Sequence, residues 1–336
     1  SIWAGIVFLL AFPLHALLRF DVGGGEAPPT VEARPGLPDI TLVVVDTLRA
    51  DHVSCYGYAV PTTPALDALA GKGMRFASAW AQAPWTRPSM ASLHCGFFPT
   101  SHGTNSTTDK LPSSSLTLAE ALRNQGYRTG AFSANVNVSR SFGFDQGFGH
   151  FHLAGDGLPI VRDMAWGKLA AKLARWTGTT DVAQGRKEDQ SAAGPLTDKV
   201  IDWLGEGDDR PEFTYVQYID PHAPYDPPEF LLEGDRPSIA DLQASFRWES
   251  GILRYPFGER PPLEGDGRER VVRLYDAEIR YCDREFQRLL DHLEATGRLG
   301  PEDWLIVTSD HGEEFYEHLH WGHGQSLFEE QLHVPL

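Results

Sequence analysis

The chain has 336 residues, a formal net charge of −17 and 41% hydrophobic side chains. That apolar content supports a sizeable core and excludes a wholly disordered chain, and the length suits one large domain or two small ones. The acidic balance argues against nucleic acid as a partner, and three cysteines without CxxC spacing (Cys55, Cys95, Cys282) argue against a disulfide framework.

The chain begins at Ser1 and ends inside an apolar HVPL, so it reads as a fragment at both ends and C-terminally incomplete. Residues 1–19 carry IWAGIVFLLAFPLHALL, close to the roughly 20 apolar residues that a bilayer crossing needs. A Gly/Pro-rich stretch without periodicity follows as a flexible linker over 20–38. A buried core helix is seldom tethered so loosely. The pattern therefore favours a membrane anchor or signal segment, with residues 39–336 as a catalytic domain outside the cytoplasm, in a periplasm or at the cell exterior.

DITLVVVD is a continuous β-branched run ending in a carboxylate, the pattern of a strand buried on both faces. TTPALDALAGKG reads as a helix with a threonine N-cap, an early proline and a terminal glycine. SLTLAEALRNQG adds a helix with a capping-box start, and YRTGAFSAN and EFTYVQYID add strands. RVVRLYDAEIRYCDREFQRLLDHLEATG is a long amphipathic helix, and DWLIVTSD is the last clear strand. Alternating strands and helices predict an α/β sandwich, a central sheet between helices. Residues 154–195 and 230–267 are rich in Gly, Pro and charge and read as insertions or lid loops.

Ligands of open α/β sheets bind beyond the carboxyl ends of the strands, where Asp46, Asp220 and Asp310 are expected. A lone aspartate there is usually a cap or turn former, but these stand with His222, His311 and His323. In SDHGEEFYEHLHWGHG, the adjacent Asp310 and His311 offer hard and borderline donors to one divalent cation. Gly312 suits a turn of close backbone approach. His323 lies further along, and His318 and His320 read as solvated or supporting groups. TRPSMASLHCG places Thr86 and Ser89 at a helix N-terminus that favours negative charge. On that stretch alone, Thr86 reads as a helix cap sooner than as a nucleophile, since Ser and Thr caps are common. His222, in DPHAPYDPP, is either a surface turn residue or a fixed imidazole for an anionic oxygen or a leaving group.

These stretches, together with VVVDTLRADHVSCYGY, FGFDQGF, YDAEIRYCD and the closing VPL, resemble in order and combination the sulfatase family of the alkaline phosphatase superfamily, from about residue 39 to 336. The resemblance implies a metal-dependent enzyme of sulfuric or phosphoric esters. It makes Asp46, Asp310 and His311 metal ligands, Thr86 the catalytic position and His222 a substrate contact. Several positions depart from the sulfatase pattern. Thr86 stands where sulfatases carry the Cys or Ser that becomes formylglycine, and Thr47 replaces the second paired aspartate. Met90 stands for an arginine, though Arg87 is near. Ala134 and Val136 stand for a sulfate-binding lysine and histidine, leaving Asn135 and Asn137 to share that work.

The site is more similar to that of phosphoethanolamine transferases and lipoteichoic acid synthases, which use an unmodified, metal-held threonine on phosphodiesters. The expectation is therefore a hydrolase or transferase. Thr86 would be the nucleophile and itself a metal contact. His222 and His323 would act on substrate oxygens or the leaving group, and Arg87 and Asn135 would bind substrate. The cation would be Zn or Mn, with Ca or Mg also open. The substrate would be a small-molecule, glycan or lipid-headgroup ester. The rivals are a sulfuric ester hydrolase working without formylglycine and an inactive domain that binds a glycan or lipid headgroup.

Overall fold

The computed structural model describes residues 36–154, 193–223, 225, 227–232 and 266–336. The expected anchor, most of the linker and the central parts of both expected insertions lie outside these residues. No described helix is long and apolar enough to cross a membrane.

The strands are β1 (Ile40–Val45), β2 (Ala79–Trp80), β3 (Arg128–Ser133), β4 (His150–Leu153), β5 (Glu212–Tyr218) and β6 (Trp304–Ser309), followed by the short β7 (Glu314–Phe315), β8 (Trp321–Gly322) and β9 (His333–Val334). The main sheet runs β4-β3-β5-β1-β6, and every adjacent pair in it is parallel. The principal helices are α1 (Pro64–Ala70), α2 (Thr86–Cys95), α3 (Leu118–Arg123), α4 (Ala193–Gly205) and α5 (Gly267–Ala295).

The two-residue period of β1 divides the core. Val43 and Val45 join Leu196 and Val200 of α4 and Leu274 and Ile279 of α5 on one face. Leu42 and Val44 join Met90 and Ala91 of α2 and Ala119 of α3 on the other. Both faces of the parallel sheet are thus covered, as a continuous apolar strand requires. Fully buried valines and leucines of this kind each contribute about 1.5–3 kcal/mol. The α/β sandwich read from the sequence is the observed architecture.

Local chemistry differs from expectation at the start of α1. Thr63 makes no capping bond to that helix, although it precedes Pro64. Its hydroxyl meets Ser54 and Asp67 instead. The first-turn amides of Ala65 and Leu66, which have no partner within the helix, donate to Asp283, on α5, at 2.9 and 3.0 Å. The cap is therefore tertiary, a carboxylate from another helix answering the positive helix end. The capping box of α3 forms as read, between Thr117 and Glu120. β4 and α4 were not read from the sequence. They close on the sheet where the Trp203 ring sits against Gly130; a Cβ there would come 2.7 Å from the ring. The three cysteines are free thiols.

Candidate active site

β1 and β6 are neighbours with Val45 opposite Ser309, so the next residues, Asp46 and Asp310, emerge side by side at the carboxyl edge of the sheet. Thr47 turns the chain there with φ 56°, a left-handed conformation that costs a threonine on the order of 1–3 kcal/mol. The turn directs its N–H to Asp310 Oδ1 at 3.2 Å and its carbonyl to the Tyr275 hydroxyl at 2.7 Å. Ser89, on α2, donates to the Asp310 carbonyl oxygen at 2.5 Å and ties the helix to this edge. Gly312 makes its close approach to the segment after β8, where a Cβ would collide with the Glu330 carbonyl oxygen.

Asp46, Asp310 and His311 are at most 1% exposed. Asp46 Oδ2 accepts from Asn135 Nδ2 at 2.5 Å, and Asp310 Oδ1 accepts from the amides of Thr47 and His311. The other two oxygens, Asp46 Oδ1 and Asp310 Oδ2, are buried without a hydrogen bond. His311 Nδ1 lies 2.8 Å from the Gly312 carbonyl, which can only accept, so Nδ1 carries the proton and Nε2 presents a lone pair. That nitrogen is 3.4 Å from Asp310 Oδ2 and 3.8 Å from Asp46 Oδ1. The three ligand atoms lie within 4.8 Å of one another. Two buried carboxylate oxygens without partners and one oriented imidazole nitrogen are a donor set that fits a divalent cation.

The electrostatics point the same way. Burial, then repulsion from Asp46, pushes the Asp310 carboxyl well above the usual carboxylate range. Burial also raises Asp46, against the pull of His222 and the Asn135 hydrogen bond. Burial, then the neighbouring His323, holds His311 well below the ordinary histidine range. Desolvation works against every charged form in the cluster, and a bound cation offsets that for both carboxylates.

Thr86 is the first residue of α2, and Trp85 occupies the cap position without a side-chain cap bond. The Thr86 hydroxyl faces inward instead, 3.3 Å from His311 Nε2 and 3.4 Å from Asn135 Nδ2. It is 2% exposed and serves no helix-capping bond. Arg87, one residue on, turns to other partners. Its guanidinium meets Asn137 Oδ1 at 2.8 Å and the carbonyls of Ser106 and Asp109, and lies 3.5 Å from the Phe142 ring centroid. Asn135 bridges Asp46 and Thr86, while its own oxygen accepts from the Asn137 amide at 2.8 Å.

His222 and His323 come together beside this cluster. Their ring centroids are 5.1 Å apart, and His323 is 4.4 Å from the His311 ring. His323 Nδ1 lies 3.0 Å from Glu313 Oε1, and the Tyr225 hydroxyl donates to Glu313 Oε2 at 3.1 Å. Glu313 therefore joins the loop after β5 to the turn that carries His323. The sequence reading did not single out Glu313, and its place directly after the Asp-His-Gly turn was the available signal. His318 lies 3.0 Å from Glu330 and stacks on Phe328, a supporting position. Asp220, the third strand-end aspartate, accepts from the Ala193 amide at the start of α4 at 2.8 Å.

The family model described as Sulfatase matches residues 38–336. The chain belongs to the sulfatase family. Among curated sulfatases it is similar to an arylsulfatase of Clostridium perfringens, at 24% identity over 89% of this chain and 67% of the relative. Among solved structures it shares the fold of the phosphonate monoester hydrolase of Agrobacterium radiobacter, with TM-score 0.65, 23% identity, and 89% and 67% of the two chains covered. It also shares the fold of an integral membrane protein, the lipooligosaccharide phosphoethanolamine transferase A of Neisseria meningitidis. There the TM-score is 0.57 and the identity 17%, with 92% of this chain and 48% of that one covered. This sulfatase-family chain thus spans about two thirds or less of the length of these relatives, which are enzymes of sulfuric or phosphoric esters.

Proposed function

We propose that this sulfatase-family protein cleaves or transfers phosphoric or sulfuric esters with Thr86 as nucleophile. The observation that carries the reading is the Thr86 hydroxyl, buried and 3.3 Å from His311 Nε2, at the edge of a cluster with two unpartnered carboxylate oxygens. Asp46, Asp310 and His311 would hold the cation, and the single imidazole among oxygen donors favours Zn or Mn over Ca or Mg. When bound, that ion supplies the positive charge that makes the Thr86 hydroxyl acidic enough to attack at neutral pH.

Thr86 Oγ gives up its proton to solvent and forms a bond to phosphorus or sulfur as the bond from that atom to the ester oxygen breaks, giving a covalent threonine ester. Asn135 Nδ2 holds the attacking oxygen by its hydrogen bond. His323, oriented through Nδ1 by Glu313, and His222 present their rings to the non-bridging oxygens, and one of them protonates the departing alkoxide. Water or an acceptor alcohol then takes the group from Thr86. An unoxidised threonine and the absence of a lysine at Ala134 and a histidine at Val136 favour phosphorus over sulfur. The family relative that acts on aryl sulfates keeps sulfate esters as the second reading. The apolar residues 1–19 and the fold shared with an integral membrane transferase support a tethered, extracytoplasmic domain acting on a glycan or lipid-headgroup ester.

Parallel assays of an aryl phosphodiester and an aryl sulfate, with added Zn(II) or Mn(II), test this. The reading expects phosphodiester turnover that Thr86→Ala removes and Thr86→Ser retains in part. Equal turnover by Thr86→Ala contradicts it, and turnover of the sulfate alone selects the second reading.

A further inference from the structure

A glutamine interrupts the apolar strand β5, in the run FTYVQY, and is fully buried there. A buried primary amide is costly unless its donors and acceptor are used. Gln217 uses both ends. The Tyr215 hydroxyl donates to Gln217 Oε1 at 2.7 Å, and Gln217 Nε2 reaches Asp46 Oδ2 at 3.4 Å. Tyr215 and Gln217 are two residues apart and so share a face of β5, and Gln217 pairs in register with Val44 of the adjacent β1. Because an ionised carboxylate can only accept, the amide nitrogen is the end that faces Asp46, and the Tyr215 hydroxyl then donates to the amide oxygen. A flipped amide would set oxygen against oxygen.

Asp46 Oδ2 therefore receives two amide donors, Asn135 from β3's end and Gln217 from β5, whereas Asp46 Oδ1 receives none. We infer that Gln217, locked by Tyr215, is a positioning residue that occupies one oxygen of Asp46 and so leaves the other as a single, oriented ligand for the cation. The inference rests on the metal reading given above. Tyr215 itself sits under α2, 4.9 Å ring to ring from His94, so the device is built into the core and not into the substrate-facing loops.

Titration of Zn(II) into the purified full chain, in competition with a chromogenic chelator, tests it on Gln217→Met and Tyr215→Phe. Zinc-free thermal unfolding of each variant serves as the control for folding. The expected result is a loss of Zn(II) affinity of about 10–100-fold for Gln217→Met, the range typical of partners that orient a metal ligand, and a smaller loss for Tyr215→Phe. The zinc-free melting temperature should stay near that of the parent. Parent-like Zn(II) affinity in a folded Gln217→Met overturns the inference and leaves the metal site standing. If Gln217→Met fails to fold, Tyr215→Phe decides alone, and parent-like affinity there overturns it equally. A parent chain that binds no Zn(II) contradicts the metal reading and this inference together.

Discussion

Asp46 and Asp310 directly follow strands of the sheet, and Asp220 comes two residues after another, yet the three serve different ends. Asp220 spends an oxygen on the Ala193 amide, where α4 begins and offers backbone donors. Asp46 and Asp310 meet such donors on one oxygen only, and each keeps a second, buried oxygen without a partner. The same residue type at the same kind of position is a helix-end partner in one place and part of a candidate cation site in another. What differs is burial, since Asp220 is only half-buried while Asp46 and Asp310 are fully enclosed with one oxygen each left without a hydrogen bond. Unclaimed buried carboxylate oxygens are costly, and a cation there would offset that cost.

The widest separation between the two kinds of aspartate is expected in metal content and turnover. Asp310→Ala should reduce bound Zn or Mn to background by elemental analysis and lower turnover by about 10³-fold, since a bound metal contributes several kcal/mol to such reactions. Metal retained at the parental level would place the cation elsewhere.

A smaller effect is expected from His94, on the same helix as Thr86 but outside the cluster. It is buried among Phe144, Phe148 and Tyr215, and its Nε2 has no hydrogen bond. Burial lowers its pKa to about 4. The unfolded chain binds a proton at this residue near the usual histidine pKa of about 6.5, and the folded chain does not until near its lowered value. Its stabilising contribution is therefore complete above the unfolded value and is lost as pH falls from there toward the folded one. Between about pH 7 and pH 5 the parent should lose about 2 kcal/mol more than His94→Leu in urea unfolding. Parallel losses in the two proteins would refute the assignment.

The smallest expected effect is at Asp220. Asp220→Ala should cost about 1 kcal/mol of stability, the usual worth of a helix-end partner, and leave metal content at the parental level. Loss of metal in that variant would erase the distinction drawn here.

Much of this arrangement was legible in the chain itself. Strands that end in aspartate, and a threonine opening a helix, carry local signals in strand period and helix-start chemistry. Those signals single out the strand-end aspartates and the adjacent His311, whereas Thr86 as a catalytic position, and the grouping of Asp46, Thr86, Asp310 and His311, came from the resemblance to the sulfatase family. Less legible was everything that depends on who sits opposite. Thr63 looked like the cap of α1, but Asp283 answers that helix from α5, 217 and 218 residues away in sequence from the amides it holds. Asn135 is expected as a substrate contact, but its hydrogen bonds to Asp46 and Thr86 are not visible in one sequence. Gln217 looked like an ordinary strand residue because one sequence does not reveal that β1 lies beside β5. Glu313 was passed over for a similar reason, since its partners His323 and Tyr225 come from different loops. Histidines in β4 concealed a strand whose neighbours, Phe132 and Trp203, lie in other elements.

The central claim, that the Thr86 oxygen forms the bond to phosphorus or sulfur, has a direct physical record in the covalent threonine ester. Rapid acid quench during turnover of an aryl phosphodiester, followed by peptide mass spectrometry across residues 83–96, reads it. The account predicts a phosphoryl-ester adduct on Thr86 in the parent, none in Thr86→Ala, and decay of the adduct when substrate is exhausted. Sustained turnover with Thr86 unmodified, at a rate that Thr86→Ala matches, would contradict it.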